Sequence, residues 1–361
     1  MKKCKIGAVI VAGGLSSRMK DFKPLLAIGN KTMIETTIKN FQSMGVDEIV
    51  IVTGYRSADI EKKLIGYDVN FVKNEKYEST HMFDSICIGL KELAEKVDLV
   101  FILPSDSPFV QQYTLKKMME EMRDLSLNII LPNYEGKNGH PILLRKKAIN
   151  TILEHDGTMG LQGAITKVGV NYKNMTFVDP GIIMDADTIN DYLNLIEYNE
   201  NKNCPSVELC EKIQDFFHMT DALKAHSNKV AAVALNMCQN LYEQGIILDK
   251  KIVMAASMLH DIGKGNHQHD KVGAQWLLEM GYEEISKIVG EHMELDVISK
   301  IPTEKEVVYL ADKLVKDDNL VTIKERFSYK EEFYKYDESA IKVIEKRKEQ
   351  AVYLYCMIFG N

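Results

Sequence analysis

The sequence predicts an α/β domain followed by an all-α domain. Three observations carry this. Short apolar runs alternate with amphipathic stretches through the first half, a polar run breaks the pattern at Tyr198–Pro205, and beyond it the periodicity is almost wholly helical. Strand–helix alternation implies a mostly parallel sheet covered on both faces, hence three layers. Ligands in such sheets collect at the carboxyl ends of the strands. A chain of 361 residues is long enough for two domains with ordinary cores.

In order, Ile6–Val11, Glu48–Thr53, Asn70–Val72, Leu99–Leu103, Ile129–Leu131 and Met175–Val178 read as strands, with helical patterns at Lys31–Met44, Phe83–Lys96 and Leu115–Asp124. The first domain is expected over residues 1–199. The run "YNENKNCP", closed by proline, reads as a linker. The second domain, residues 206–361, carries helical periodicity at Ser206–Met219, Asp221–Gln244, Lys250–Leu259, Lys271–Met280, Glu283–His292, Thr303–Leu314 and Lys330–Phe359. Six of the nine histidines lie beyond the break. The last helix reads as a packing helix, with a homo-oligomer contact as the other reading.

Composition narrows the function. A 45% hydrophobic, 27% charged chain is that of a soluble globular protein, and a net charge of -7 argues against broad nucleic-acid binding. The six cysteines form no CxxC pair, which points to inert thiols in a reducing, cytoplasmic compartment. "MKKCKIGAVIVAGG" has too short an apolar run for a signal peptide and reads as a first strand. No apolar stretch approaches the ~20 residues of a membrane span.

The first strand feeds "VAGGLSSRMKDFKPLL", Val11 to Leu26. Its glycines are adjacent, so neither GxGxxG nor GxxxxGK[ST] is present. Backbone N–H groups of a Gly13-Gly14 turn can cradle phosphate, while Arg18 and Lys23 neutralise a triphosphate. An ordinary turn with two solvated cations explains this stretch equally well when it is taken alone. Further along, "LVFILPSDSPF" puts Asp106 just past a buried-strand pattern, and "MDADT" supplies Asp185 and Asp187. Carboxylates from two strand ends can hold one Mg2+ against phosphate oxygens, an arrangement that suits nucleotidyl transfer. A turn aspartate before proline and a helix cap near Thr188 are their ordinary structural explanations.

Val11–Leu26 resembles the signature of the MobA-like nucleotidyltransferases. So do "VTGYR", "NEKYESTHMFDSICIGL", "PSDSPF", "GHPILL" and "DADTINDYL", which follow in the family's order over residues 4–197. The resemblance implies a Rossmann-like sheet. It also implies transfer of a nucleoside monophosphate from an NTP to molybdopterin or a similar small phosphorylated acceptor. By the same resemblance Ala12, Gly13, Gly14, Ser16, Arg18 and Lys23 grip the triphosphate, Thr53, Gly54 and Asn74 border the nucleotide, and Asp106 with Asp185 or Asp187 ligates Mg2+. "VTGYR" and "FKPLL" resemble the cytidylyl branch, so CTP is the expected nucleotide. Lys20 stands where the family usually has glycine, and the family's DxDTPED reads Asp185-Ala-Asp-Thr-Ile-Asn-Asp191. His140, in "GHP", reads as an acceptor-pocket or structural residue rather than a general base.

In the second domain, "MLHDIGKGNHQHDKVGAQWL" places His260 beside Asp261 at a helix end, with His226 one helix upstream and Asp312 downstream. Imidazole and carboxylate ligands suit Mn2+, Fe, Ni, Co or Zn2+, and Lys264 is placed to balance phosphate charge. Any single histidine could instead be a satisfied core residue. The H…HD…D order resembles the HD superfamily of metal-dependent phosphohydrolases over residues 206–330. That resemblance implies His226, His260, Asp261 and Asp312 as ligands and Lys264 as a phosphate contact. His269 and His292 match the superfamily's additional histidines, as ligands of a second ion or as substrate contacts. The expected function is therefore bifunctional: nucleotidyl transfer, with Arg18, Lys23 and Asp106 at the triphosphate, joined to phosphate-ester hydrolysis. Two alternatives remain open: a sugar- or alditol-phosphate nucleotidyltransferase, and a nucleotide-binding domain that regulates its neighbour.

Overall fold

The computed structural model describes residues 4–15, 19, 21–167 and 171–360. It divides into two compact units, Met1–Glu200 and Asn201–Asn361.

The strands of the first unit are β1 (Ile6–Ala12), β2 (Ala27–Ile28), β3 (Lys31–Thr32), β4 (Glu48–Thr53), β5 (Asn70–Lys73), β6 (Leu99–Pro104), β7 (Ile129–Tyr134), β8 (Lys137–Asn138), β9 (Ile142–Arg145) and β10 (Tyr172–Thr176). Its helices are α1 (Met33–Ser43), α2 (Ser57–Lys63), α3 (Met82–Leu93), α4 (Gln112–Glu121), α5 (Lys146–Leu153), α6 (Gly160–Lys167) and α7 (Ile189–Asn201). The main sheet runs β10-β7-β9-β6-β1-β4-β5. β1 is central and parallel to both neighbours, with Val9 opposite Val50 and Ile102. Both faces of β1, β4 and β6 are buried, which is why these strands read as unbroken apolar runs. Val9, Val50 and Val100 meet Leu90, Leu93, Ile149 and Ile152 on one face. On the other, Phe41 of α1 packs on Phe101 at 5.6 Å. The chain moves outward from β1 through β4 to β5, then returns to β6 on the other side. The switch lies at the carboxyl ends of β1 and β6.

Three differences from the sequence reading have physical causes. β9 is antiparallel to both β6 and β7, because the hairpin between β7 and β8 turns the chain back at Glu135 and Gly136, both at positive φ. β10 occupies Tyr172–Thr176 rather than 175–178. It is an exposed edge strand, and the apolar Phe177 and Val178 are buried just after it ends. The polar run expected as a linker is helical through Asn201, where α7 ends, so the unit boundary falls inside it.

The second unit is helical: α8 (Val207–Phe216), α9 (Asp221–Glu243), α10 (Lys250–Leu259), α11 (His269–Glu279), α12 (Glu283–Glu291), α13 (Glu304–Lys313), α14 (Ile323–Phe333) and α15 (Glu338–Phe359), with a hairpin of β11 (Val315–Lys316) and β12 (Asn319–Leu320). α9 packs on α10 and α13, and α12 on α10 and α11, through small and branched residues such as Val230, Ala234, Ala256, Val289 and Val307. The single helix expected over Lys330–Phe359 is two. α14 starts at a Thr322–Glu325 capping box, and α15 restarts where the Asp337 carboxylate accepts from the N–H groups of Ser339 and Ala340.

Candidate functional site

In the first unit, the loops after β1, β4 and β6 meet at the switch point. Ser105 N–H donates to Val11 O at 3.0 Å, which fixes the start of the loop carrying Asp106. Gly54 lies so close to the first loop that a Cβ there would sit 2.7 Å from Gly13 O and 2.8 Å from Tyr77 Cβ. Only glycine permits that approach. Phe22, Tyr55 and Tyr77 continue the contact between loops, with ring centroids 5.8 and 6.4 Å apart.

Around this junction Lys23, in a 3₁₀ turn with Pro24, places Nζ 2.7 Å from Asp187 Oδ1 and 3.4 Å from Asp106 Oδ2. Three segments far apart in sequence thus converge on one ammonium group. Burial raises the Asp106 carboxyl above its ordinary range, while Lys23 opposes that shift. Burial disfavours the charged form of Lys23, but hydrogen bonding to Asp187 and the charge of Asp106 outweigh it and raise its pKa. Asp185 is exposed. Desolvation and then the charges of Asp106 and Asp187 raise its pKa.

A cavity of about 260 Å³ opens here, with Gly13, Gly14, Lys23, Asp106 and Asp187 on one side. Its other wall is Tyr77, Thr80, His81 and Ser85, residues that the motif Asn74–Leu90 contained but did not single out. Ala12 also lines it. Thr53 and Asn74 are buried and do not appear in its described lining. Asn74 organises the wall from behind, its Nδ2 donating to Thr80 Oγ1 at 2.9 Å and Ser85 Oγ at 3.1 Å. Ser16, Arg18 and Lys20 lie outside the described residues. His140 sits away from this cavity's described lining, its Nδ1 buried without a partner among the described residues.

In the second unit, α10 ends at Leu259 and delivers His260 and Asp261 to the centre of the helices. Gln214 of α8 donates to Met258 O at 2.6 Å, satisfying a carbonyl of that helix end. Gly263 allows the following turn to press on α11: a Cβ there would lie 2.1 Å from His269 O. That approach brings His269 Nε2 to 3.1 Å from Asp261 Oδ1. His292, after α12, reaches the same oxygen at 3.6 Å. His226 Nε2 lies 3.2 Å from Asp312 Oδ1, and His260 Nε2 3.8 Å from it.

Two groups of converging ligand atoms result, His226–His260–Asp261 and Asp261–His269–His292, with Asp261 common to both. A carbonyl can only accept, so the Nδ1–H groups of His226, His260 and His292 donate to Asp317 O, Ser257 O and Val289 O, each at 2.7 Å. In the neutral rings Nε2 is then a lone pair facing the cluster. His260 Nε2 is buried with no hydrogen-bond partner among the described residues, as a ligand awaiting a cation would be. Burial pushes His260 down to about 4. Burial opposes ionisation of Asp261, but His260, His269, His292 and Lys264 hold its carboxyl well below the usual range. The His226 ring faces acceptors at both nitrogens, a pairing that requires the second ring proton or a cation between it and Asp312. Lys264 lies 3.0 Å from Asp261 Oδ2. Lys313, buried, donates to Asp312 Oδ2 at 2.7 Å and to His292 O at 2.8 Å.

Among the described residues, no helix is long and apolar enough to cross a membrane. Residues 8–171 match the family described as MobA-like NTP transferase domain, and residues 223–317 match the HD domain. The chain is 26% identical over 193 residues to the molybdenum cofactor cytidylyltransferase of Escherichia coli, covering 53% of this chain and 96% of that protein. It is 28% identical over 167 residues to the bifunctional protein GlmU of Francisella tularensis, covering 45% of this chain and only 36% of that one. A solved nucleotidyl transferase from Methanothermobacter superposes with a TM-score of 0.48 at 24% identity, over 55% of this chain and 98% of that one. The chain is an enzyme that carries a MobA-like NTP transferase domain followed by an HD domain.

Proposed function

We propose that the chain is bifunctional, with its domains at residues 1–199 and 206–361. The first transfers CMP from CTP to a small phosphorylated acceptor of the molybdopterin type, and the second hydrolyses a phosphate ester. The observation that carries the first activity is the convergence of Lys23, Asp106 and Asp187 at the switch point of the sheet. The similarity to a cytidylyltransferase supports CTP. Free thiols at all six cysteines support a cytoplasmic location.

An all-carboxylate donor set fits Mg2+, with Asp106 and Asp187 as ligands and Asp185 at the rim. When bound, the ion supplies neutralisation of charge on the triphosphate and the leaving pyrophosphate. The Gly13 and Gly14 amides, Arg18 and Lys23 hold the triphosphate while the acceptor phosphate attacks the α-phosphorus in line. Gly54 keeps the first loop seated, and Asn74 and Thr53 act from behind the cavity.

In the second domain the mixed imidazole–carboxylate set fits Mn2+, Fe, Ni, Co or Zn2+. His226, His260, Asp261 and Asp312 hold one ion, and sharing of Asp261 with His269 and His292 supports a second. Such an ion supplies Lewis-acid activation of water and phosphate. Lys264 faces the substrate phosphate, and Lys313 holds Asp312 and the carbonyl of His292 in place.

The test is transfer of label from [α-³²P]NTPs to molybdopterin. Labelled product is expected from CTP, and Asp106→Asn is expected to lower the rate by about 100-fold or more. No transfer from any NTP to molybdopterin or to any sugar or alditol phosphate overturns the reading.

A further inference from the structure

The cavity at the HD ligands extends to about 490 Å³, larger than the ligand cluster needs and of a size that holds an organic ligand. Its far wall is not built by the matched HD region. Arg326, Phe327 and Lys330 come from α14 and Arg347 from α15. Together with Lys264 and Lys313 they put five cations on the lining. The lining also holds four carboxylates. Asp261 and Asp312 face the imidazoles, and Asp317 and Asp318 occupy the exposed turn between β11 and β12. Arg326 Nη2 lies 3.3 Å from Asp312 Oδ1, and Arg347 Nε 3.2 Å from Glu294 Oε2. Lys330 has no ion-pair partner among the described residues. It is an exposed residue at the edge of the cavity. Partial desolvation and the charges of Arg326, Lys313 and Arg347, opposed by Asp312, push it down to about 8. An ammonium in a cationic wall is matched by an anion that the chain itself does not provide. Phe327, buried beside it, offers an apolar surface for the organic part of a ligand.

We propose that this cavity takes an organic diphosphate or longer phosphate chain, its terminal phosphate at Asp261 and Lys264 and its inner phosphate on Lys330, Arg326 and Arg347. This rests on the hydrolytic reading of the site. In the step implied, a water oxygen bonds to the terminal phosphorus and the bridging P–O bond breaks. Inorganic phosphate and the shortened phosphate ester leave, and one proton passes to solvent. The C-terminal helices, beyond the matched domain, are then the specificity-determining part of the site.

Calorimetric titration of the metal-loaded full chain with methylenediphosphonate and methylphosphonate tests this. The diphosphonate is expected to bind about 10-fold or more tightly than the monophosphonate, and Lys330→Gln to erase that preference. Lys342→Gln, an exposed lysine on α15 outside the cavity lining, is expected to leave it intact. Binding to the first domain is common to all three proteins and cancels. Equal affinity for both probes in the wild type, or a preference unchanged by Lys330→Gln, overturns the proposal. A preference that depends on Lys330, with no phosphate released from p-nitrophenyl phosphate or from ADP, sinks the hydrolytic reading and leaves the binding wall standing.

Discussion

Nε2 of His260 is a buried lone pair with no hydrogen-bond partner among the described residues, and Asp261 stands among three imidazoles. Removing the shared carboxylate therefore has a larger consequence than removing any one ring. Asp261→Asn is expected to strip the metal from both ligand groups, read as metal per chain by elemental analysis, whereas His269→Gln affects one group. Outside both sites, burial pushes His140 down to about 4. Its folded pKa is depressed below the unfolded value of about 6.5, so its stabilising contribution is present above pH 6.5 and is lost as pH falls towards 4. The full effect is about 3 kcal/mol. Urea titrations followed by far-UV circular dichroism across that window are expected to show the loss, and His140→Gln to reduce it, with the share due to buried His260 remaining. At this scale, residue type and spacing made Asp106, His260 and Asp261 legible as candidates. The Tyr77–Ser85 wall and the cations Arg326, Lys330 and Arg347 were not legible, because a helical period gives a face and not the cavity which that face lines.

Elements set how closely these residues approach. The turn after His260 touches α11 only because Gly263 has no side chain. Gly263→Ala is expected to push His269 away and to weaken metal retention against a chelator by about 10-fold, with the helices still formed. Retention equal to the wild type would contradict the role given to that contact. The central strands were legible because both their faces are buried, and the helices because their caps are written locally, as at Thr32–Glu35. β9 and the break between α14 and α15 were not. The first depends on a hairpin that reverses the chain, and the second on a capping aspartate inside a continuous amphipathic pattern.

At the scale of the whole chain, two units with separate cavities imply two separable chemistries. Trp276 is the only tryptophan of the sequence and stacks on Phe217 at 4.3 Å in the second unit, so its fluorescence reports that unit alone. An ion bound at 100 times its dissociation constant adds about 2.7 kcal/mol. Chelation is expected to lower the melting temperature read at Trp276 by about 5–10 °C. The boundary between the units was legible as a polar run closed by proline, although the helix entering it was not.

The most direct test crosses two variants with two activities in one experiment. Wild type, Asp106→Asn and Asp261→Asn are each assayed for CMP transfer from CTP to molybdopterin and for phosphate release from p-nitrophenyl phosphate. The account predicts that Asp106→Asn loses only transfer and Asp261→Asn loses only hydrolysis. Loss of both activities in either variant, or retention of both, would contradict it.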